Sequence, residues 1–205
     1  VIKNHFMKNL MLYIITILSF TIGIATGAFT VNALSNSQVE ELFSYIQEFF
    51  YIVNTQNVNA SELFKLSIFN NIKTLALLWI LGITVIGIPL ILIIIGIKGF
   101  MIGFTVGFLI KCLSFKGVLF TFLGILPQSL IIIPCYIVLG IICINFSLSM
   151  IRNKTKIKYR REDIKTQFLS YSTLVLLIFL LLTIGSIIEA YITPVFIKSI
   201  TVTFI

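Results

Sequence analysis

Apolar residues fill this chain in long blocks with short polar breaks, and only one stretch varies with a helical period. After a tail that carries Lys3, His5 and Lys8, Leu10 to Phe29 is apolar. Val31-Asn32-Ala33 resembles a cleavage site, but the run is longer than the ~7–15 residues of a signal-peptide core, which favours a retained first span over 10–31. A second span is predicted over 74–97, with Trp79 near its outer interface and Pro89 as a bend. Lys98-Gly99 then reads as a cytoplasmic turn leading to a third span over 99–113. Gly117 to Met150 is apolar throughout and, at about 50 Å as a helix, exceeds a ~30 Å hydrocarbon core. Two prolines in it predict a half-helix or re-entrant piece over 117–126, followed by a fourth span over 127–150 bent near Pro134. A fifth span over 168–188 ends at Glu189.

The periodic stretch lies in the polar loop 32–71, which holds Glu40, Glu41, Glu48 and Glu62 against Lys65 alone. Ser37-Gln38-Val39-Glu40 has the form of a capping box. Val39, Leu42, Phe43, Ile46, Phe49 and Phe50 follow at helical spacing, opposite Glu40, Glu41, Ser44, Gln47 and Glu48. An amphipathic helix with an acidic wet face is therefore expected. Two roles are open to it: a cap lying on the spans or the bilayer, or a docking surface in which Glu40, Glu41 and Glu48 meet a partner. A second cap, Asn59 with Glu62, predicts another short helix through Phe69.

Composition settles the medium. The chain has 205 residues, 59% of them hydrophobic, and a mean hydropathy of +1.11, well above the ~45–50% apolar share of a soluble domain. The formal net charge of +8 does not indicate nucleic acid, because seven basic residues crowd between Arg152 and Lys165. That clustering marks 152–167 as a cytoplasmic loop. The expected fold is all-α: a single polytopic helical bundle in the membrane, with about five spans, a cytoplasmic N-terminus and an extracytoplasmic C-terminus. Lys111 and Lys116 fall on the outer side against this charge bias.

Within the bundle, Gly99, Gly103 and Gly107 form one smooth stripe beside Phe100, Phe104 and Phe108, and Gly23 and Gly27 form another small-residue face. Such stripes let helices approach closely, either as an internal seam or as the contact of a homo-oligomer. Pro89, Pro127 and Pro134 are expected to bend helices. Gln128, the polar amide of the core, is expected to bond a neighbouring helix or a ligand. Cys112, Cys135 and Cys143 form no disulfide framework or metal motif. With one histidine, no phosphate-binding loop and carboxylates outside the spans apart from Glu189, no catalytic constellation, metal site or cofactor is expected. The remaining classes are a scaffold, a permease subunit with a separate cytoplasmic ATPase, and an enzyme acting from its loops.

Three segments carry a family resemblance: GIPLILIIIGIKGFMIGFTVGFLI, KGVLFTFLGILPQSLIIIPCYIVLGIICINFSLSM, and GAFTVNAL at the end of the first span. Together they resemble stage II sporulation protein M of endospore-forming bacteria over nearly the whole chain. A wider related family carries Pro-His-Gly and then a glutamate, where this chain has Pro127, Gln128, Ser129 and Ile132. No polar or metal role of that His and Glu carries over.

The resemblance implies a role in forespore engulfment, at the septum and engulfing membrane of the mother cell. It also implies two membrane-anchored peptidoglycan hydrolases, the D and P proteins of the same stage, as partners beside the bilayer. The M protein is the non-enzymatic member that assembles or places them.

Overall fold

In the computed structural model, residues 10–55, 59–155 and 163–204 are described, and among them there is no strand. Helix α1 runs Leu10–Thr30 and ends in a short 3₁₀ turn, Val31–Ala33. Then come α2 (Asn36–Thr55), α3 (Ala60–Ile83), α4 (Gly87–Leu113), α5 (Phe115–Phe120), α6 (Leu126–Thr155), α7 (Asp163–Ile187) and α8 (Thr193–Phe204). π-helical turns, Thr121–Ile125 and Ile188–Ile192, join α5 to α6 and α7 to α8. Five stretches are long and apolar enough to cross a bilayer: 10–33, 60–83, 87–113, 115–151 and 165–198. Large apolar side chains face outward along these stretches, with Met11 at 74% and Leu176 at 61% exposure. Water would not tolerate such a surface, and lipid does.

The second and third spans sit in a different register from the one hydropathy suggests. The chain turns at Thr84–Ile86, not at Lys98-Gly99, so Lys98 lies in the interior of α4. The turn is held by Thr84 N–H donating to the Leu81 carbonyl (3.0 Å) and by Ser147 Oγ donating to the Thr84 carbonyl (2.7 Å). Pro89 is no mid-span bend. It stands in the first turn of α4, where its missing N–H is one the helix leaves unpaired anyway. α3 takes in residues 60–71, which the polar-loop reading placed outside, and Trp79 packs against Phe168 near the basic-loop end. Segment 117–126 does not re-enter; residues 115–155 are helical throughout, widened at the π turn. Nor does Glu189 end a helix, since it lies in the second π turn.

Each π turn stops two residues before a proline, Pro127 and Pro194. A helix-interior proline removes a donor and crowds the carbonyl four residues back, and a widened turn relieves both. Pro134 remains inside α6.

α1 and α4 run parallel along a glycine seam. Gly23 packs on the Gly96 carbonyl and Gly27 on that of Phe100, while Gly99 and Gly103 pack on the carbonyls of Phe20 and Ile24. A Cβ added at Gly107 would meet the Ala28 Cα at 3.3 Å. The seam ends where Lys111 Nζ donates to the Val31 carbonyl (2.8 Å), a cation on a helix C-terminus. That contact accounts for a lysine at the end the charge bias disfavours. The main core gathers Leu78, Ile91, Ile95, Leu139, Cys143, Ile144 and Leu182.

A second, small core lies at the α2 end of the bundle, where Leu109, Phe120 and Ile197 meet Ile46 of α2. Here α2 is a cap. Its own N-terminal box is Ser35 with Gln38, two residues earlier than the sequence pattern suggests: Ser35 N–H donates to Gln38 Oε1 at 3.0 Å. Asn59 caps α3 as expected, accepting from the Ser61 N–H and donating to Glu62 Oε1.

The register has a direct test. In a background without native cysteines, Val85→Cys, at the exposed turn, should react with an impermeant thiol reagent from the same side as Thr155→Cys, and Ser61→Cys from the opposite side. A Val85 cysteine shielded from both sides would restore the register with the turn at Lys98.

Candidate functional site

Polar side chains gather inside the apolar bundle on four helices. α3 contributes Ser67 and Asn71, one turn apart on its inward face, each 7% exposed. α7 runs antiparallel and contributes Ser186, fully buried, with Glu189 three residues on in the π turn. α6 adds Tyr136, 3% exposed, and α4 adds Lys98. Ser67 Oγ donates to Glu189 Oε2 (2.6 Å), Asn71 Nδ2 to Ser186 Oγ (2.9 Å), and Tyr136 Oη to Asn71 Oδ1 (2.7 Å). The Lys98 ammonium lies 5.1 Å from the Tyr136 ring centroid.

The result is a polar chain, Lys98–Tyr136–Asn71–Ser186, with the separate Ser67–Glu189 pair beside it. Hydrogen bonds between membrane helices contribute about 0.6 kcal/mol on average and up to ~1.7. A cation over a desolvated ring adds ~2 kcal/mol or less. Leaving one such group unpaired in hydrocarbon costs several kcal/mol. The chain therefore fixes the rotation of α3, α6 and α7 more strongly than any single bond in it. Ionisable groups within spans mark functional positions, and Lys98 and Glu189 were not placed among these side chains by sequence reasoning. The usable signals were a lone lysine in the apolar run 87–110 and the one-turn spacing of Ser67 and Asn71.

The other expected site residues fall elsewhere. Gly99, Gly103 and Gly107 line the α1–α4 seam, so that stripe is occupied within one chain. Gln128 bonds a neighbouring helix: Thr193 Oγ1 lies 3.4 Å from its Oε1 and 3.3 Å from the Gly124 carbonyl oxygen. Pro127 stands beside this contact. Glu40, Glu41 and Glu48 are exposed together on α2, away from the polar chain. Cys112, Cys135 and Cys143 are free thiols. Among the described residues no three His, Cys, Asp or Glu side chains come close enough to hold a metal.

The family model for stage II sporulation protein M matches residues 16–194. The chain belongs to the stage II sporulation protein M family. No curated protein and no solved structure matches it. The family region takes in α1 from Thr16, all of α2 to α7, and all six of these buried polar residues; it closes at Pro194, just past the second π turn. As a member of this family the chain is a sporulation membrane protein.

Proposed function

We propose that this family member is a non-catalytic scaffold that assembles and localises a peptidoglycan-degrading complex during forespore engulfment. Its partners are two membrane-anchored hydrolases resembling stage II sporulation proteins D and P. The N-terminus and the basic loop face the cytoplasm, and α2, α8 and the C-terminus face the cell wall. The observation that carries this reading is the seating of α2. Ile46 joins the core of Leu109, Phe120 and Ile197, while Glu40, Glu41 and Glu48 stay exposed on the other face. A docking surface held at fixed height and angle suits a protein that places others.

Reversing all three glutamates to lysine tests the proposal. Surface changes of this kind usually stay within ~0.5 kcal/mol each, so abundance in the membrane should be normal. Hydrolase retention and engulfment should fall together. Intact retention and engulfment in the triple variant would reduce α2 to a cap and move recruitment to the spans.

The intramembrane charges of Lys98 and Glu189 favour a second reading, a permease-like subunit, because transporters place intramembrane charges on their substrate paths. That reading calls for a cytoplasmic ATPase on 152–165. The paired state of Tyr136, Asn71 and Ser186 supports a structural lock instead.

A further inference from the structure

We infer that α3 carries a binding site for an anionic phospholipid head group on its exposed face, between Lys65 and Lys73. The inference rests on the membrane-spanning fold and not on the scaffold role. α3 has two faces. Ser67, Asn71, Leu78 and Gly82 are buried against the bundle. On the opposite side Lys65, Phe69 and Lys73 follow one another turn by turn, all exposed.

Depth makes this face unusual. Counted from Ile83 at the basic-loop end, Lys73 is about 15 Å up the helix, near the middle of a ~30 Å hydrocarbon layer. A lysine there is rare on a lipid-facing surface because the ammonium loses its hydration. Lys73 does not point straight out. Its Nζ lies 4.1 Å from the Phe69 ring centroid, one turn nearer the α2 end. The side chain snorkels along the helix and rests its charge on the aromatic face.

At Phe69 the ammonium is about 9 Å below the far hydrocarbon boundary, and Lys65 is about 3 Å below it. Lys65 thus lies just under the level of a lipid phosphate, and the Lys73 ammonium, about 6 Å deeper, draws a head group down toward the strip between them. Among the described residues neither has a carboxylate partner. The nearest acid on that face, Glu62, accepts from Asn59, and Glu189 accepts from Ser67 on the buried face. Leu66, Leu77 and Ile80, all exposed, continue the strip toward the bilayer centre and suit acyl chains. The setting favours a lipid, whose acyl chains already lie along this exposed apolar strip, over a soluble anion or a peptide loop.

Native mass spectrometry of the full chain, released from mixed micelles of phosphatidylglycerol and phosphatidylcholine, reads the site directly. The parent should retain phosphatidylglycerol in preference, and millimolar inorganic phosphate should not displace it. Attraction to an anionic membrane is ~1 kcal/mol per lysine, so Lys65→Gln with Lys73→Gln should lower that preference about thirtyfold. Lys116→Gln, elsewhere at the same end, should leave it unchanged. Equal retention of the two lipids by the parent would overturn the site whatever the fate of the variants. So would displacement by phosphate, an undiminished preference in the double variant, or loss of a protein partner from it without change in lipid.

Discussion

Gly103→Leu should destabilise the membrane domain by at least ~3 kcal/mol, lowering its thermal midpoint in mild detergent by roughly 6–12 °C. A Cβ at Gly103 runs into the Ile24 carbonyl, with the Ile24 Cα also within 2.8 Å. Backbone atoms cannot rotate aside as a flexible side chain does. The obstacle belongs to α1, so relief means parting two helices that touch from Phe20 to Ala28. In lipid, that close packing is itself the main force joining them. Phe104→Leu, one residue round the helix, loses only stacked contacts with Phe100 and Phe108, at 6.1 and 6.2 Å between centroids. Its expected cost is ~1 kcal/mol. Gly107→Ala should be milder than a change at Gly103, since Ala28 is the nearest neighbour at 3.3 Å. If Gly103→Leu melts with the parent while Phe104→Leu does not, the α1–α4 seam is misassigned.

Asn71→Leu should cost about 2–4 kcal/mol, and the adjacent Asn70→Leu less than ~0.5 kcal/mol. Asn71 holds the middle of the polar chain, accepting from Tyr136 and donating to Ser186. Leucine has similar volume but takes from the Tyr136 phenol and the Ser186 hydroxyl their amide partner in a dry interior. Asn70 is exposed, where leucine suits lipid at least as well. Chemical denaturation of the two purified variants checks the contrast. Equal stabilities would show that the polar chain contributes nothing to the bundle.

Much of this architecture is legible in the sequence because lipid imposes length. Each span needs about twenty apolar residues, so Leu10 to Phe29 and Phe168 to Ile188 show themselves. The acidic periodicity of α2 and the Asn59 cap are readable for the same local reasons. The register of α3 is not. Hydropathy averages a polar side chain facing a partner helix with one facing water, so Ser67, Asn71, Lys65 and Lys73 read as loop. Moving that span inward moved the next turn to Lys98 and hid its place in the interior of α4. Pro89 carried the missing signal, since a proline just after Gly87 suits a helix start as well as a bend.

Other features leave no local trace. The π turns show only as Pro127 and Pro194, and nothing in the sequence says that a helix widens before them instead of breaking. The break between α4 and α5 falls at Ser114, which takes a positive φ of 50° without being glycine. The union of Lys98, Tyr136, Asn71, Ser186 and Glu189 depends on how four helices pack, which no single segment encodes.

Purification of the intact protein from sporulating cells in mild detergent, with identification of what accompanies it, tests the scaffold reading most directly. The account predicts two membrane-anchored peptidoglycan hydrolases, retained by the parent and lost from the Glu40, Glu41 and Glu48 reversal. A cytoplasmic ATPase in their place, bound through the 152–165 loop, would contradict it.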